Sequence, residues 1–422
     1  MTLIKTSILS LIATFFKMLS GLVINKAVAV YIGPAGLALI GQFQSFSQIA
    51  LIAAQGAINN GVVKYSAEYE NDKDKSKILI SNAIKITIIT SIITGIILIV
   101  FSCNLSLMIL SSIEYYKVFI IFGVAIVFFS INNLLLSILN GRGNIKLFIK
   151  INIIQSIYSL IFTSILIYYF NLIGALAALA TNQSIICFIS IYIIRKNKLI
   201  YLSDFRKKTD STIIRNLLSY SMMAIASAIS LPTANLIIRN YITSKEGLTE
   251  TGYWQGVNYI STTYLLVITT ALSIYYLPKL SKIHILKDLK REILLGYTIV
   301  IPIVIISSLI IYISRDIIIY AVFSPDFNPM LHLLKWQLLG DIIKMTSWLL
   351  SYLLLAKKMT ARFVISEILF SIIYTTLSIS LIDKYHTIGA IYAYTISYCL
   401  YFFIILSSVY AYIKNNNRIL ST

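Results

Sequence analysis

Residues 78–101 read ILISNAIKITIITSIITGIILIVF, and runs of this kind decide the fold of the chain. A helix needs about 20 apolar residues to cross a hydrocarbon core of roughly 30 Å, and this run is long enough. Its isoleucines would favour β-strands in a soluble protein. In lipid, however, a segment must satisfy every backbone N–H and C=O internally, so the run predicts a membrane-spanning helix.

Similar apolar runs recur along the whole chain. Its composition, 58% hydrophobic and 12% charged residues, excludes a soluble globular protein because too few polar residues remain to cover a surface. We predict an all-α polytopic membrane protein with about twelve transmembrane helices. The predicted spans are Ile8–Val30, Leu37–Ile58, Ile78–Phe101, Val118–Ile138, Ile151–Phe170, Leu172–Ile194, Leu217–Ile238, Tyr253–Leu277, Ile293–Ile313, Leu331–Leu355, Phe363–Ile382 and Thr387–Ile413.

The basic residues between the spans predict the orientation of the chain. The net charge is +19, and most lysines and arginines lie in alternate loops and at the termini. The remaining connections hold only Lys117, Arg239, Lys245, Arg315 and Lys384. Because basic loops stay in the cytoplasm, both termini are predicted to be cytoplasmic. The same loops account for the charge, so no nucleic-acid partner is predicted.

Landmarks repeated along the chain predict two halves. Lys26 ends the first span as Arg239 ends the seventh, and Lys64 follows the second as Lys279 follows the eighth. Parallel repeats of this kind are common in transporters. We therefore predict an N-terminal six-helix bundle (residues 1–200), a cytoplasmic linker (201–216) and a C-terminal six-helix bundle (217–422).

Lysines inside predicted spans give the first indication of function. Lys17, Lys26, Lys335 and Lys344 lie in otherwise apolar runs, where each charge costs roughly 2.5–3.5 kcal/mol on insertion scales. Such residues usually face a bundle interior and mark a transport path. Lys17 lies about 18 Å along its helix and is too deep to reach water easily, whereas Lys26 lies near the outer interface. An anionic cargo is predicted.

Polar side chains form stripes on several spans. Three spans each carry polar residues at the spacing of one helical face. They are Ser10, Thr14, Lys17 and Gly21 on the first span, Gln44, Gln48, Gln55 and Asn59 on the second, and Gln255, Asn258, Thr262, Thr269 and Ser273 on the eighth. Hydrogen bonds between helices explain single polar residues, at about 0.6 kcal/mol each. A hydrated cavity explains several stripes together, because polar helices are tolerated where they line water.

The tenth span carries both signs of charge. Gln337, Asp341, Lys344 and Trp348 share one face, and the i, i+3 spacing allows Asp341 to pair with Lys344. Such a pair either stabilises packing or is opened by a substrate phosphate or a coupling proton. Intramembrane pairs occur in both roles, and Asp341 is the candidate for ion coupling.

Cysteines and histidines give no indication of a metal or cofactor. Cys103, Cys187 and Cys399 are far apart, and the three histidines are isolated. We expect neither a metal site nor a cofactor.

Six ordered segments resemble the Wzx-type flippases of the MATE-like polysaccharide exporter superfamily, which move undecaprenyl-diphosphate-linked oligosaccharides of O-antigen and enterobacterial common antigen. They are Asn25–Leu37 (NKAVAVYIGPAGL), Asn60–Tyr65 (NGVVKY), Leu231-Pro232 with Arg239, Trp254-Gln255-Gly256, Leu277–Ser281 (LPKLS) and Trp336–Lys344 (WQLLGDIIK). The resemblance covers nearly the whole chain. The chain departs from the family in its high content of Ile and Lys. The resemblance therefore does not determine which sugar the chain would be specific for.

This resemblance implies a MATE-like fold of two six-helix bundles around a cationic cavity, alternating access, and a place in a bacterial inner membrane. It implies transport of an undecaprenyl-diphosphate-linked glycan from the cytoplasmic to the periplasmic leaflet, with membrane lipids as partners and polysaccharide polymerase and chain-length proteins as candidate partners. Lys17, Lys26, Arg239 and Lys344 would neutralise the diphosphate. The amides of Gln44, Gln48, Asn59, Gln255, Asn258 and Gln337 would replace water around the sugar hydroxyls.

Two other classes of protein remain as alternatives. An ion-coupled drug or metabolite antiporter of the same fold would need cavity carboxylates for a cationic cargo, yet Asp341 and Glu367 are nearly the only acids within spans. A membrane-embedded sugar polymerase would need an outer loop with acidic or basic catalytic residues. The outer connections are short and carry no His/Asp/Glu cluster, so an enzyme is not expected.

Overall fold

A computed structural model describes residues 3–69, 72–197, 211–283 and 285–419. Within these ranges the chain is helical and contains no β-strand. Of the predicted linker 201–216, residues 211–216 belong to α8 and the rest lies outside the described residues. The helices are α1 Leu3–Tyr31, α2 Gly33–Ala54, α3 Asn59–Glu68, α4 Lys73–Val100, α5 Ser102–Leu110, α6 Tyr116–Gly141, α7 Ile145–Lys196, α8 Ser211–Ala271, α9 Leu277–Lys282, α10 Leu286–Ile313, α11 Arg315–Val322, α12 Leu331–Ala356, α13 Thr360–Tyr385 and α14 Thr387–Ile419.

Ten helices of the described chain are long and apolar enough to cross a membrane. Two of them, α7 with 52 residues and α8 with 61, are far longer than one crossing requires. Each is interrupted by one residue of non-helical backbone, Asn171 (φ 47°) in α7 and Gly247 (φ 88°) in α8. A positive φ is tolerated best by Gly and Asn. Each of these two helices therefore forms two membrane-spanning segments, here called legs. Together with the other eight helices they give twelve legs in the described chain, as the apolar runs predict.

The second predicted span ends earlier than expected. Gly56 (φ 58°) and Ala57 (φ 51°) adopt left-handed backbone, which stops α2 at Ala54. The Thr90 hydroxyl donates to the freed Ala54 carbonyl at 2.8 Å. Asn59 begins α3, so the predicted continuous helix from Gln44 to Asn59 is interrupted, although the Asn59 amide still donates to Gln55 at 2.7 Å.

The described chain forms two compact units. The N-terminal unit comprises Leu19–Tyr31 and Leu39–Thr233, and the C-terminal unit comprises Met1–Met18, Ile32–Ala38 and Ala234–Thr422. These limits differ from the predicted bundles, because the first part of α1 falls in the C-terminal unit and the first part of α8 in the N-terminal unit. The division into bundles 1–200 and 217–422 stays a prediction.

Close helix packing organises the N-terminal unit around α6. A Cβ added to Gly95 of α4 would lie 2.4 Å from the Gly123 carbonyl oxygen of α6, and one added to Gly123 would lie 2.7 Å from the Gly95 carbonyl oxygen. Only glycine at both positions lets the two backbones approach this closely, as at other small-residue crossings in membranes.

Helix α12 occupies the centre of the C-terminal unit. It packs against α10 and α14, and α14 also packs against α13. The residues that α12 buries include Gln337, Asp341 and Lys344. The most polar face of an apolar helix is therefore turned into the protein, where side chains rather than lipid surround it.

Candidate functional site

The carboxylate of Asp341 lies at the centre of a polar cluster in the C-terminal unit. Its side chain is fully buried. Tyr394 of α14 donates to Oδ1 at 2.8 Å, Tyr264 of α8 donates to Oδ2 at 2.9 Å, and the hydroxyl of Ser261 also donates to Oδ1. A buried carboxylate is costly unless donors replace water around it. Three hydroxyl groups from two neighbouring helices do so here.

Gln337 completes this cluster one helical turn before Asp341. Its Nε2 donates to the Ser261 hydroxyl at 3.2 Å and approaches Asp341 Oδ1 at 3.5 Å. Its Oε1 is buried and has no hydrogen-bond partner among the described residues. The prediction that Gln337 and Asp341 share one face of α12 is confirmed by these contacts.

The ammonium of Lys344 lies on aromatic rings. Its Nζ is 5.1 Å from the ring centre of Trp348, 5.6 Å from that of Tyr398 and 5.8 Å from that of Tyr394. Cation–π contacts contribute about 0.5–2 kcal/mol each, with the larger values at desolvated sites. The lysine is thus held in a cage of rings and is almost fully buried.

The predicted direct pair between Asp341 and Lys344 is not formed. The ion pairs of the described residues lie elsewhere, at Lys75–Asp72, Lys245–Asp383, Lys279–Glu292 and His386–Glu246. The physical reason lies in Tyr394, whose hydroxyl donates to Asp341 while its ring supports Lys344. The i, i+3 spacing permits a contact, but the tyrosine from α14 takes the place of the lysine.

A second intramembrane carboxylate lies near the same cage. Tyr401 of α14 donates to Glu367 of α13 at 2.5 Å, and its hydroxyl is 3.2 Å from that of Ser351. Tyr394, Tyr398 and Tyr401 follow one another at i, i+4 and i+7, so they share one face of α14. Sequence reasoning missed this tyrosine ladder because it counted aromatic residues as apolar. The helical spacing of the hydroxyl-bearing rings was the available signal.

Arg239 and Gln255 form a second polar group, on the two legs of α8. The Nη2 of Arg239 donates to Gln255 Oε1 at 2.7 Å, and the guanidinium carbon lies 5.3 Å from the ring centre of Trp254. Arg239 and Trp254 are both buried, whereas Gln255 is half-buried. Asn258, one turn later, is half-buried and donates to the Trp254 carbonyl at 2.9 Å, within its own helix. The structure brings together Arg239 and Gln255, which the sequence predicts as separate site residues.

The other predicted residues lie near the N-terminus. Lys17 is exposed and belongs to the C-terminal unit, and Lys26 is half-buried and belongs to the N-terminal unit. Gln44 and Gln48 are exposed on α2, four residues apart, as expected for side chains on one face. Asn59 is half-buried, and its amide donates to Gln55 Oε1 at 2.7 Å. Within the described ranges, no group of three or more His, Cys, Asp or Glu residues could hold a metal ion.

Comparison with known proteins gives three findings. The profile of the family described as "Polysaccharide biosynthesis protein" matches residues 3–284. The chain is 28% identical, over 95% of its length and 97% of theirs, to the lipid III flippases of Escherichia coli (strain K12) and Shigella flexneri. These named relatives are transporters rather than enzymes.

Among solved structures, the chain is similar to a multidrug resistance MATE family transporter of the MOP superfamily in its inward-facing conformation. The TM-score is 0.80 at 15% identity, with 97% of this chain and 99% of the other covered. A MOP superfamily transporter from Pyrococcus furiosus gives a TM-score of 0.68 at 16% identity, with 97% and 96% covered. At these identities the likeness shows the fold alone, and it confirms the MATE-like architecture.

Proposed function

Because the chain belongs to the polysaccharide biosynthesis protein family, we propose that it is a flippase that moves a lipid-linked oligosaccharide across the membrane. Two lipid III flippases that align along nearly the whole chain support this function. The twelve apolar legs and the transporter fold are consistent with it. The cargo we propose is an undecaprenyl-diphosphate-linked repeat unit of O-antigen or enterobacterial common antigen.

The single observation that carries the proposal is the position of Lys344. Its ammonium lies on three rings, and none of the ion pairs of the described residues involves it. Rings stabilise a cation without neutralising it. A diphosphate can therefore be attracted by this lysine, and a medium of low dielectric constant strengthens that attraction.

The remaining predicted residues take complementary roles. In the C-terminal unit, Lys17 and Arg239 join Lys344 in neutralising phosphate charge, and Gln255 and Asn258 bond sugar hydroxyls together with Gln337. In the N-terminal unit, Lys26 is the further cation, and Gln44, Gln48 and Asn59 are the further amides. The polyprenyl tail stays among the membrane lipids, since only the charged and hydroxylated headgroup needs a polar path.

Asp341 is the residue that we assign to ion coupling. Its carboxylate is buried and depends on three hydroxyl donors, so gain or loss of a cation or proton there changes the packing of α8, α12 and α14 together. We further propose that both termini face the cytoplasm of a bacterial inner membrane, that transport proceeds by alternating access, and that a polysaccharide polymerase and chain-length protein act downstream.

Complementation of a bacterial strain that lacks its lipid III flippase tests the function. We expect the wild-type protein to restore surface glycan, and Lys344→Met to abolish this at normal membrane levels because the charge is lost. Lys335→Met is the matched control on the same helix, because Lys335, although it lies in an apolar run of the sequence, is exposed beside the Trp336 ring. Lys17→Arg should keep part of the activity that Lys17→Ala loses, because the charge survives.

Purified protein in vesicles separates this function from drug antiport. A fluorescent undecaprenyl-diphosphate sugar should be moved between leaflets by the wild type and not by Lys344→Met. Failure with every lipid-linked glycan, together with proton-driven efflux of a cationic dye, would establish the antiporter instead.

A further inference from the structure

The indole N–H of Trp254 is a buried donor without an acceptor. The side chain is 1% exposed, and Nε1 has no hydrogen-bond partner among the described residues. A buried tryptophan usually pairs its N–H, and an unpaired buried donor costs about 1–3 kcal/mol. The unpaired indole N–H of Trp254 is explained if a bound ligand supplies the acceptor atom.

The neighbours of this donor indicate the charge of that ligand. The guanidinium of Arg239 lies over the Trp254 ring at 5.3 Å, so a second set of N–H groups and a positive charge stand beside the indole. Gln255, the next residue along the helix, presents its Oε1 to Arg239 at 2.7 Å. Arg239 thus donates to a neutral acceptor oxygen, while the indole N–H beside it has no partner among the described residues.

The surroundings make this arrangement favourable for an anion. Gly256 packs against Met330 and Phe323, and a Cβ at Gly256 would lie 2.8 Å from the Met330 sulfur. Phe323 and Phe327 are fully buried. Arg239 and Trp254 are themselves buried, and burial lowers the local dielectric constant, which strengthens the attraction between a guanidinium and a phosphate. Gln255, which accepts from Arg239, is half-buried, whereas Arg239 is buried.

We propose that Arg239, Trp254 and Gln255 form a phosphate subsite in which the Gln255 amide oxygen occupies the place of a phosphate oxygen until the substrate arrives. The incoming oxygen displaces Gln255, accepts from Arg239 Nη2 and gives the Trp254 indole the acceptor that it lacks. Gln255 then turns its amide N–H groups toward the ligand. This inference rests on the proposed function and adds an uncharged residue, Trp254, to its binding site.

Nuclear magnetic resonance of the indole groups tests the subsite directly. The chain has three tryptophans, so protein labelled with ¹⁵N-tryptophan gives three indole signals, and the one absent from Trp254→Phe belongs to Trp254. Inorganic pyrophosphate should move this signal downfield, because a new hydrogen bond deshields the proton. The Trp336 signal is the internal control, since that ring lies on exposed α12 surface beside Tyr392.

Two variants measure the contribution of the site. Trp254→Phe keeps an aromatic ring under Arg239 but removes the N–H together with the five-membered ring of the indole, so calorimetry should show pyrophosphate binding weakened about tenfold or more. Trp336→Phe should leave the affinity unchanged. Gln255→Glu places a permanent carboxylate against Arg239, so the Trp254 signal should no longer respond to pyrophosphate while the protein remains folded.

The outcomes distinguish this inference from the proposed function. If the wild type restores surface glycan but the Trp254 signal stays in place with pyrophosphate, or Trp254→Phe binds as tightly as wild type, the subsite is wrong and the flippase stands. If the wild type transports no lipid-linked glycan, the function itself fails. A Trp254 signal that moves in the wild type and not in Gln255→Glu supports the subsite.

Discussion

Replacement of Asp341 separates its structural role from its role in transport. In Asp341→Asn the remaining carbonyl oxygen can accept from Ser261 and Tyr394, which both donate to Oδ1. The new amide nitrogen faces Tyr264 and can donate to its oxygen. Tyr264 in turn can donate to Ser308, whose hydroxyl lies 3.2 Å away. No hydrogen bond is lost, so we expect a change in stability within about 1 kcal/mol.

Asp341→Ala removes the acceptor from all three hydroxyl groups. Tyr264 keeps Ser308 as a partner at 3.2 Å. Ser261 still accepts from Gln337 at 3.2 Å, but its own hydroxyl proton loses its acceptor. Tyr394 has no second acceptor in the described part of the chain, and its ring is almost fully buried. The hydroxyls of Tyr394 and Ser261 are then both without an acceptor, and each such donor costs about 1–3 kcal/mol. We therefore expect Asp341→Ala to be less stable than Asp341→Asn by at least the cost of one donor.

The double variant Asp341→Ala/Tyr394→Phe tests the origin of that loss. It removes both hydrogen-bond partners and keeps the ring beneath Lys344, and such paired removal is nearly neutral. The thermal midpoint of purified protein in detergent should fall in Asp341→Ala and recover in part in the double variant, because the Ser261 hydroxyl still lacks its acceptor. Equal midpoints for the alanine and asparagine variants, with no recovery on adding Tyr394→Phe, would refute this account of the cluster.

Transport by the stable variant then addresses mechanism. Asp341→Asn keeps the hydrogen bonds and removes the ionisable carboxyl. If Asp341 couples ion movement to transport, this variant should fold, insert and fail to complement. Full complementation by Asp341→Asn would leave the residue with a structural role only.

Two further predictions concern orientation and packing. A cysteine at Lys245 should react with an impermeant thiol reagent in intact cells while one at Lys357 stays protected, and the reverse pattern would invert the predicted orientation. Gly95→Ala would place a methyl group 2.4 Å from the Gly123 carbonyl oxygen, so α4 and α6 must separate at a cost of about 1–3 kcal/mol; an unchanged thermal midpoint would contradict this contact.

Much of the fold follows from local properties of the sequence. Length and hydropathy predict a spanning helix at Lys73–Val100 and a division of α7 near Asn171. Such predictions succeed because a helix in lipid forms its backbone hydrogen bonds within its own segment, so its position depends only on its own residues. The end of α2 could not be predicted in the same way. It depends on left-handed backbone at Gly56 and Ala57 and on Thr90 of another helix.

For the candidate site, the sequence alone determined that α12 carries Gln337, Asp341 and Lys344 on one face, since helical periodicity is local. Only the tertiary structure decided their partners. Tyr394 is 53 residues beyond Asp341 and comes between the carboxylate and the lysine. The partner of a buried charge depends on which helix packs against it. That packing joins residues far apart in the sequence, so it cannot be predicted from the residue spacing within a single helix.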